Sequence, residues 1–248
     1  MAQLDTSIPI VLTKLSPPVV RGNILHRQRL QDALDLAAFR KLTLVCAGPG
    51  YGKTTLLSAL TVPQSITVWY SLSRTDQDLA VFISYLLEGI RRYWPGFGER
   101  VLRLLTTRDR LAASLERVVG ELVNSLSEIA GTELIIVLDN YHAVDSNPAI
   151  QEVMDYLLTH LPVNSHIAVA TRRVPRLPAL PRMRMIGEVN DLFETDLRFT
   201  RSEAEQLFDR IFGLRPSNED VAAVTEETGG WITGLQLAAQ SPGAKGRE

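Results

Sequence analysis

Short, uninterrupted apolar runs punctuate the chain: "KLTLVCA" (41–47), "ITVWYSL" (66–72), "ELIIVLD" (133–139) and "HIAVATR" (166–172). A strand with one wet face alternates apolar and polar residues. All four predict strands, "ITVWYSL" by its β-branched and aromatic residues, and "ELIIVLD", which does not alternate, suits a strand of a parallel sheet covered on both faces. "DLRFT" (196–200) is a candidate fifth strand. Elsewhere apolar residues recur at helical spacing. Residues 26–39, 53–60 and 147–161 predict helices, the last capped by Asn147 with Pro148 in its first turn. Asp78 to Tyr93 predicts another, through Leu79, Phe82, Ile83, Leu86, Leu87 and Ile90. Asp109 to Ile129 repeats the pattern through Leu111, Leu115, Val118, Val119, Leu122 and Leu126. Strands alternating with helices predict a doubly wound α/β fold, a parallel five-stranded sheet between helices.

After Thr200 the pattern is helical throughout. Thr200 and Glu203 form a capping box ahead of a helix to Phe212, Ser217 caps a second, and Gly229-Gly230 separates it from "WITGLQLAAQ" (231–240). The expected organisation is an extended N-terminal segment (1–24) around Pro17-Pro18, an α/β domain (25–200) and a small all-helical lid subdomain (201–248). The tail "SPGAKGRE" reads as a linker, so the chain is expected to be the front piece of something longer.

Composition narrows the picture little. With 45% hydrophobic and 22% charged residues the usage is that of a globular domain, and a net charge of −2 gives no overall attraction to nucleic acid or a membrane surface. The lone Cys46 excludes an intrachain disulfide and suits a reducing cytoplasm. "LIIVL" (134–138) is far short of a membrane span, and the N-terminus carries Asp5 without a signal peptide's apolar core. The expected location is cytoplasmic.

The chemistry concentrates in "CAGPGYGKTT" (46–55), where a buried strand gives way to a glycine-rich turn and Gly-Lys-Thr opens a helix. This is the pattern of a phosphate-binding loop, whose backbone N–H groups and helix N-terminus draw in anionic oxygens. The expected nucleotide contacts are Gly48, Pro49, Gly50, Tyr51, Gly52, Lys53, Thr54 and Thr55. Lys53 is suited to reach the β- and γ-phosphates, and the Thr54 hydroxyl to ligate Mg²⁺. The usual G-x-x-x-x-G-K-[ST] spacing puts its first glycine where this chain has Ala47, with Gly48 one place later.

Asp139, at the tip of the third run, is the acid expected to hold Mg²⁺ through water. Hydrolysing loops carry a second carboxylate nearby; here the next residue is Asn140, whose amide can orient a water but cannot take its proton. Arg172, after the fourth run, stands where a side chain can sense a γ-phosphate. Around it Arg173, Arg176, Arg182 and Arg184 lie among prolines, with no recognition helix or broad basic face, and Arg173 and Arg176 read as solvated. His142 reads as a structural hydrogen-bonder and Trp231 as core.

With these residues in hand, the chain resembles the N-terminal nucleotide-binding (NACHT/NB-ARC-like) module of large ATP-dependent LuxR-type transcriptional regulators, typified by the maltose-regulon activator, within the STAND class of P-loop ATPases. The likeness rests on "TKLSPPVVRGNILHRQRL" (13–30), "AGPGYGKTTLLSAL" (47–60), "LIIVLDNYHAV" (134–144), the run from "ATRRVPRLPALPRMRMIGEVNDL" (170–192) to "LRFTRSEAEQLF" (197–208), and "TEETGGWITGLQLAAQ" (225–240), similar to the family's lid signature. The resemblance implies an ATP/ADP switch: ADP holds a closed form, an inducer and ATP open it, and the protein self-associates. It also implies that Val19, Val20 and Arg21 wrap the adenine. The tetratricopeptide-like sensor repeats and the promoter-binding helix-turn-helix of such proteins are not in these 248 residues, so no DNA binding and no membrane partner is expected of this chain. The Asp139-Asn140 pair departs from the two acids common in the family and implies slow ATP hydrolysis at most. A dedicated P-loop ATPase of the remodelling or loader type, and an interaction module that keeps the loop as scaffold, are the rival readings.

Overall fold

A computed structural model describes residues 10–19, 24–35, 40–60, 65–106, 115–129 and 131–241. Five strands form one parallel sheet: β1 (Leu42–Cys46), β2 (Ser65–Ser71), β3 (Glu133–Asp139), β4 (Ser165–Thr171) and β5 (Val189–Phe193). Their order is β2-β3-β4-β1-β5, so β1 is flanked by β4 and β5 and is separated from β3 by β4. The register runs from Ser65↔Glu133 to Ser71↔Asp139 in one pair and from Leu42↔Ile167 to Cys46↔Thr171 in another.

Parallel neighbours need crossovers, and helices supply them on both faces. On one face lie α1 (Gln28–Asp35) and α2 (Lys53–Ser58); their Leu30, Leu34 and Leu57 pack on Val45, Trp69, Val137, Ala168 and Ala170. On the other lie α3 (Leu79–Arg91), α4 (Glu99–Thr106), α5 (Leu115–Ser127), α6 (Pro148–His160) and α7 (Ala179–Met185), packed on Leu44, Ile136, Leu138 and Val169. The inner strands β1, β3 and β4 thus bury both alternating sets of side chains, which is why their runs show little polar period. Asp78 starts α3 by accepting the Val81 N–H at 3.0 Å, and Asn147 starts α6 by accepting the Ala149 N–H at 2.8 Å.

Several expectations shift. The fifth strand is not "DLRFT": residues 189–193 pair with β1, and Glu194–Leu197 form helix α8, fixed when Asp196 accepts the Phe193 N–H at 2.8 Å. The helix expected over 26–39 is α1, with 36–39 outside the described residues; that expected over 109–129 is described from Leu115, with 107–114 outside. α4 was not among the predicted helices; it drives Val101 and Leu105 into the core.

The C-terminal helices build a separate small core. α9 (Arg201–Gln206) continues as a π-turn to Phe212, followed by α10 (Asn218–Thr228) and α11 (Ile232–Gln240). The Thr200–Glu203 capping box is present, with reciprocal bonds of 3.2 and 3.0 Å. Leu25 joins Ala204, Leu207, Phe208 and Leu235 in this second core. Arg27 ties the junction: it donates to the Leu197 carbonyl at 2.8 Å and to Glu203 at 2.8 Å, and lies 4.0 Å over the Phe199 ring.

The N-terminal segment is not a simple extended wrap. Leu12–Leu15 form a 3-10 turn whose Leu15 is buried on the α3 side of the sheet, opposite α2. There Val11 N–H donates to Tyr85 at 3.0 Å, and Lys14 pairs with the buried Asp76 at 2.7 Å.

Candidate functional site

The loop after β1 sits at the C-terminal edge of the sheet, where parallel α/β folds place their ligands. Gly50 (φ 73°) and Gly52 (φ 78°) adopt left-handed backbone that a side chain disfavours. Gly52 is the last residue before α2, which begins at Lys53. Lys53 Nζ donates to the Ala47 and Gly48 carbonyls at 2.8 and 2.6 Å. Burial, then the nearby Arg172 guanidinium, lowers its pKa, against the pull of Asp139.

Asp139 ends β3 and is 3% exposed. Its carboxylate accepts the Thr54 hydroxyl at 3.1 and 3.0 Å and the Asn140 N–H at 2.9 Å. Burial pushes its pKa up, opposed by those two hydrogen bonds and by Lys53. A buried carboxylate beside a hydroxyl is an all-oxygen donor pair of the kind Mg²⁺ takes while keeping several waters, so these residues fit the metal. Asn140 follows in a left-handed conformation (φ 61°), the single positive-φ residue other than glycine among those described. A 3-10 turn, Tyr141–Ala143, then presents His142.

His142 departs from its expected role. Its Nδ1 is buried without a hydrogen-bond partner among the described residues, and burial together with Arg172, Lys53 and Arg173 lowers its pKa. Arg172 is exposed and close enough to act on both Lys53 and His142. Arg173 is not simply solvated: it pairs at 3.5 Å with the buried Asp145, whose carboxyl burial pushes up. Asp145 thus anchors the loop that carries Arg172.

Trp231 is not core. It precedes α11, half-buried against the loop, and its Nε1–H donates to the Pro49 carbonyl at 3.1 Å, while the Thr233 hydroxyl donates to the Gly50 carbonyl at 3.0 Å. Its ring centroid is 6.3 Å from that of Tyr51, whose hydroxyl donates to Glu194 at 2.9 Å. Glu194 also accepts an Arg198 N–H at 3.3 Å, and its pKa is held down by Tyr51 foremost and then by Arg198. Neither Thr233 nor Glu194 was singled out in the sequence. "GGW" before an apolar helix was the available signal for the first, and no local pattern marks the second.

Beside the loop lies a cavity of about 360 Å³ between α1, α2 and the C-terminal helices. Leu30, Leu56, Phe199, Leu207 and Ile232 give it apolar walls; His26, Gln31, Thr55 and Gln236 supply polar atoms at its margin. Tyr51 and Gly52 line its junction with the loop. Of the residues expected to wrap a base, Val19 is 86% exposed and does not line this cavity; Val20 and Arg21 lie outside the described residues. The nearest N-terminal contributors are instead Ile24, Leu25, His26 and Arg27.

No family model matches the chain. It is 33% identical over 232 residues, 94% of its length, to the HTH-type transcriptional regulator MalT of Yersinia pestis (strain Pestoides F), and equally to that of Yersinia enterocolitica serotype O:8. It spans 25% of the length of those relatives. Among solved structures it is similar to a Signal Transduction ATPase with Numerous Domains carrying a tetratricopeptide repeat sensor, from Pyrococcus horikoshii. The TM-score is 0.58 at 16% identity, over 94% of this chain and 32% of that one. The fold likeness covers both the parallel sheet and the C-terminal helices. The chain is thus similar in sequence to a quarter of the MalT-type transcriptional regulators and similar in fold to a signal-transducing ATPase.

Proposed function

We propose that the chain binds ATP and ADP, phosphates on the 48–55 loop and base in the adjoining cavity, and acts as the nucleotide-operated switch of a signal-responsive transcriptional regulator. The observation that carries this reading is that the two features share residues: the apolar cavity is lined in part by Tyr51, Gly52 and Thr55 of the loop whose Thr54 hydroxyl donates to Asp139. A flat apolar base and a charged phosphate tail need those two environments side by side. Thr54 and Asp139 would hold Mg²⁺, which neutralises phosphate charge when bound. Arg172, exposed at the end of β4, is placed to answer a third phosphate. With Asn140 where a general base is wanted, hydrolysis is slow, and the bound nucleotide sets the state of the module for long periods.

In this reading exchange of nucleotide controls self-association, while inducer sensing and promoter binding belong to the three quarters of such relatives that this chain does not span. Among the described residues no helix is long and apolar enough to cross a membrane. The test is calorimetry of ADP binding to the chain and to Lys53→Ala, with mass spectrometry of nucleotide released on denaturation. Lys53 bonds only its own loop's carbonyls, so the variant should keep its thermal midpoint but lose at least about 1.5–3 kcal/mol of binding. Unchanged affinity would remove the phosphate-loop assignment.

A further inference from the structure

The C-terminal helices touch the phosphate loop at two backbone carbonyls, and the direction of those contacts matters. A trans peptide plane points its C=O and its N–H to opposite sides, and no cis bond occurs among the described residues. Trp231 Nε1–H holds the Pro49 carbonyl toward α11, so the N–H of the same plane, that of Gly50, is turned away from the helix. Thr233 Oγ1–H holds the Gly50 carbonyl the same way, which turns the Tyr51 N–H. The first part of the loop runs in the other sense. The Ala47 carbonyl faces Lys53 Nζ, so the Gly48 N–H of that plane is turned the opposite way. The lid therefore grips only the half of the loop whose amides are free to donate inward.

We propose that Trp231 and Thr233 are positioning residues for the phosphate loop: from the lid they fix two peptide planes so that the Gly50 and Tyr51 amides are aimed at an entering phosphate. The inference rests on the nucleotide-binding reading above and adds the means by which lid and loop are coupled. Convergent amides form an anion nest only while their planes keep one orientation. Seating the lid presets that orientation, and lifting it frees the planes to turn. Close packing at the same point supports the assignment. A Cβ built on Gly50 would lie 2.3 Å from Thr233 Oγ1 and 3.0 Å from Trp231 Nε1, so the two side chains rest directly on the backbone they bond.

Trp231→Phe removes the indole donor and keeps an aromatic ring; Thr233→Val removes the hydroxyl at nearly constant shape; Thr233→Ser restores a donor. Backbone amide mobility of the loop is followed by 15N relaxation in the full chain without added nucleotide, and release of a fluorescent ADP analogue by stopped flow. The expected result is greater mobility of the Gly50 and Tyr51 amides and release faster by about two- to tenfold in Trp231→Phe and Thr233→Val, near-parental behaviour in Thr233→Ser, and unchanged association, with the thermal midpoint preserved. Identical mobility of the Gly50 and Tyr51 amides in Thr233→Val, Thr233→Ser and the parent overturns the proposal whether or not nucleotide binds. Failure of the parent itself to bind the analogue would instead count against the nucleotide reading, and the mobility result would still decide the coupling.

Discussion

The Thr54 hydroxyl donates to both oxygens of Asp139, 85 residues away in sequence, at 3.1 and 3.0 Å. The contact joins the helix after β1 to the tip of β3 across the intervening end of β4. If this pair holds Mg²⁺, Thr54→Val should weaken ADP binding about tenfold or more in the presence of Mg²⁺, as for loss of one charge-assisted contact, and by no more than about twofold in a chelator. Titrations under the two conditions separate the metal contribution from a general loss of the loop. Equal losses in both would detach the metal from Thr54.

Asn140→Asp should raise ATP turnover at least about tenfold, toward the roughly 10²–10⁴-fold that a well-placed general base contributes. The left-handed backbone at this position (φ 61°) is tolerated by aspartate as by asparagine, so folding should be little affected. Single-turnover hydrolysis on both proteins provides the comparison. A variant no faster than its parent would mean that another group activates the water.

Two loop glycines share positive φ but not surroundings. Gly52→Ala meets nothing within 4 Å and should cost only backbone strain, about 1–2 kcal/mol. Gly50→Ala adds an overlap with Thr233 and should in addition unseat α11 from the loop. Thermal unfolding, with Trp231 fluorescence as the local reporter, should show a shift in the emission of Gly50→Ala that Gly52→Ala lacks.

Stability should fall on acidification below neutrality. His166 lies in β4, its Nδ1 against the Arg40 carbonyl and its Nε2 buried without a partner, and burial lowers its pKa despite that contact. A depressed folded pKa means that, below the ordinary value of about 6.5, the unfolded chain takes a proton the folded chain refuses. Stability is therefore present above that pH and lost as pH falls, at up to about 1.4 kcal/mol per unit. His142 shifts the same way, so urea unfolding of His166→Gln between pH 7.5 and 5 should show a shallower slope rather than a flat one.

The sequence announced what is local and left out what is assembled. The loop and Asp139 were legible because strand, turn and helix start follow one another within a few residues. β5 was not, because "VNDLF" buries Val189 and Leu192 around the polar Asn190 and Asp191 at the edge of the sheet, without the continuous apolar run of the inner strands. Trp231 looked like core because helical spacing gives a face but not the neighbour of the residue just before the helix. The cavity walls come from the 24–31 stretch, α2, the 197–211 stretch and α11, and no single segment carries its signature.

Two of the smallest side chains in the sheet decide how high the loop sits. Ala168 and Ala170, fully buried on the α2 face of β4, lie beneath the layer formed by Leu57. α2 packs on β4 in the same core cluster as these methyl groups, so their bulk bears on the clearance of α2 over the strand between β1 and β3, and with it on the reach from Thr54 to Asp139. A valine at either position would act as a shim: it touches neither phosphate nor metal, yet it would tilt the helix and open that span. Because nothing in such a variant alters the chemistry of the ligand's contacts, it would offer a way to change the spacing of the centre while leaving its functional groups untouched.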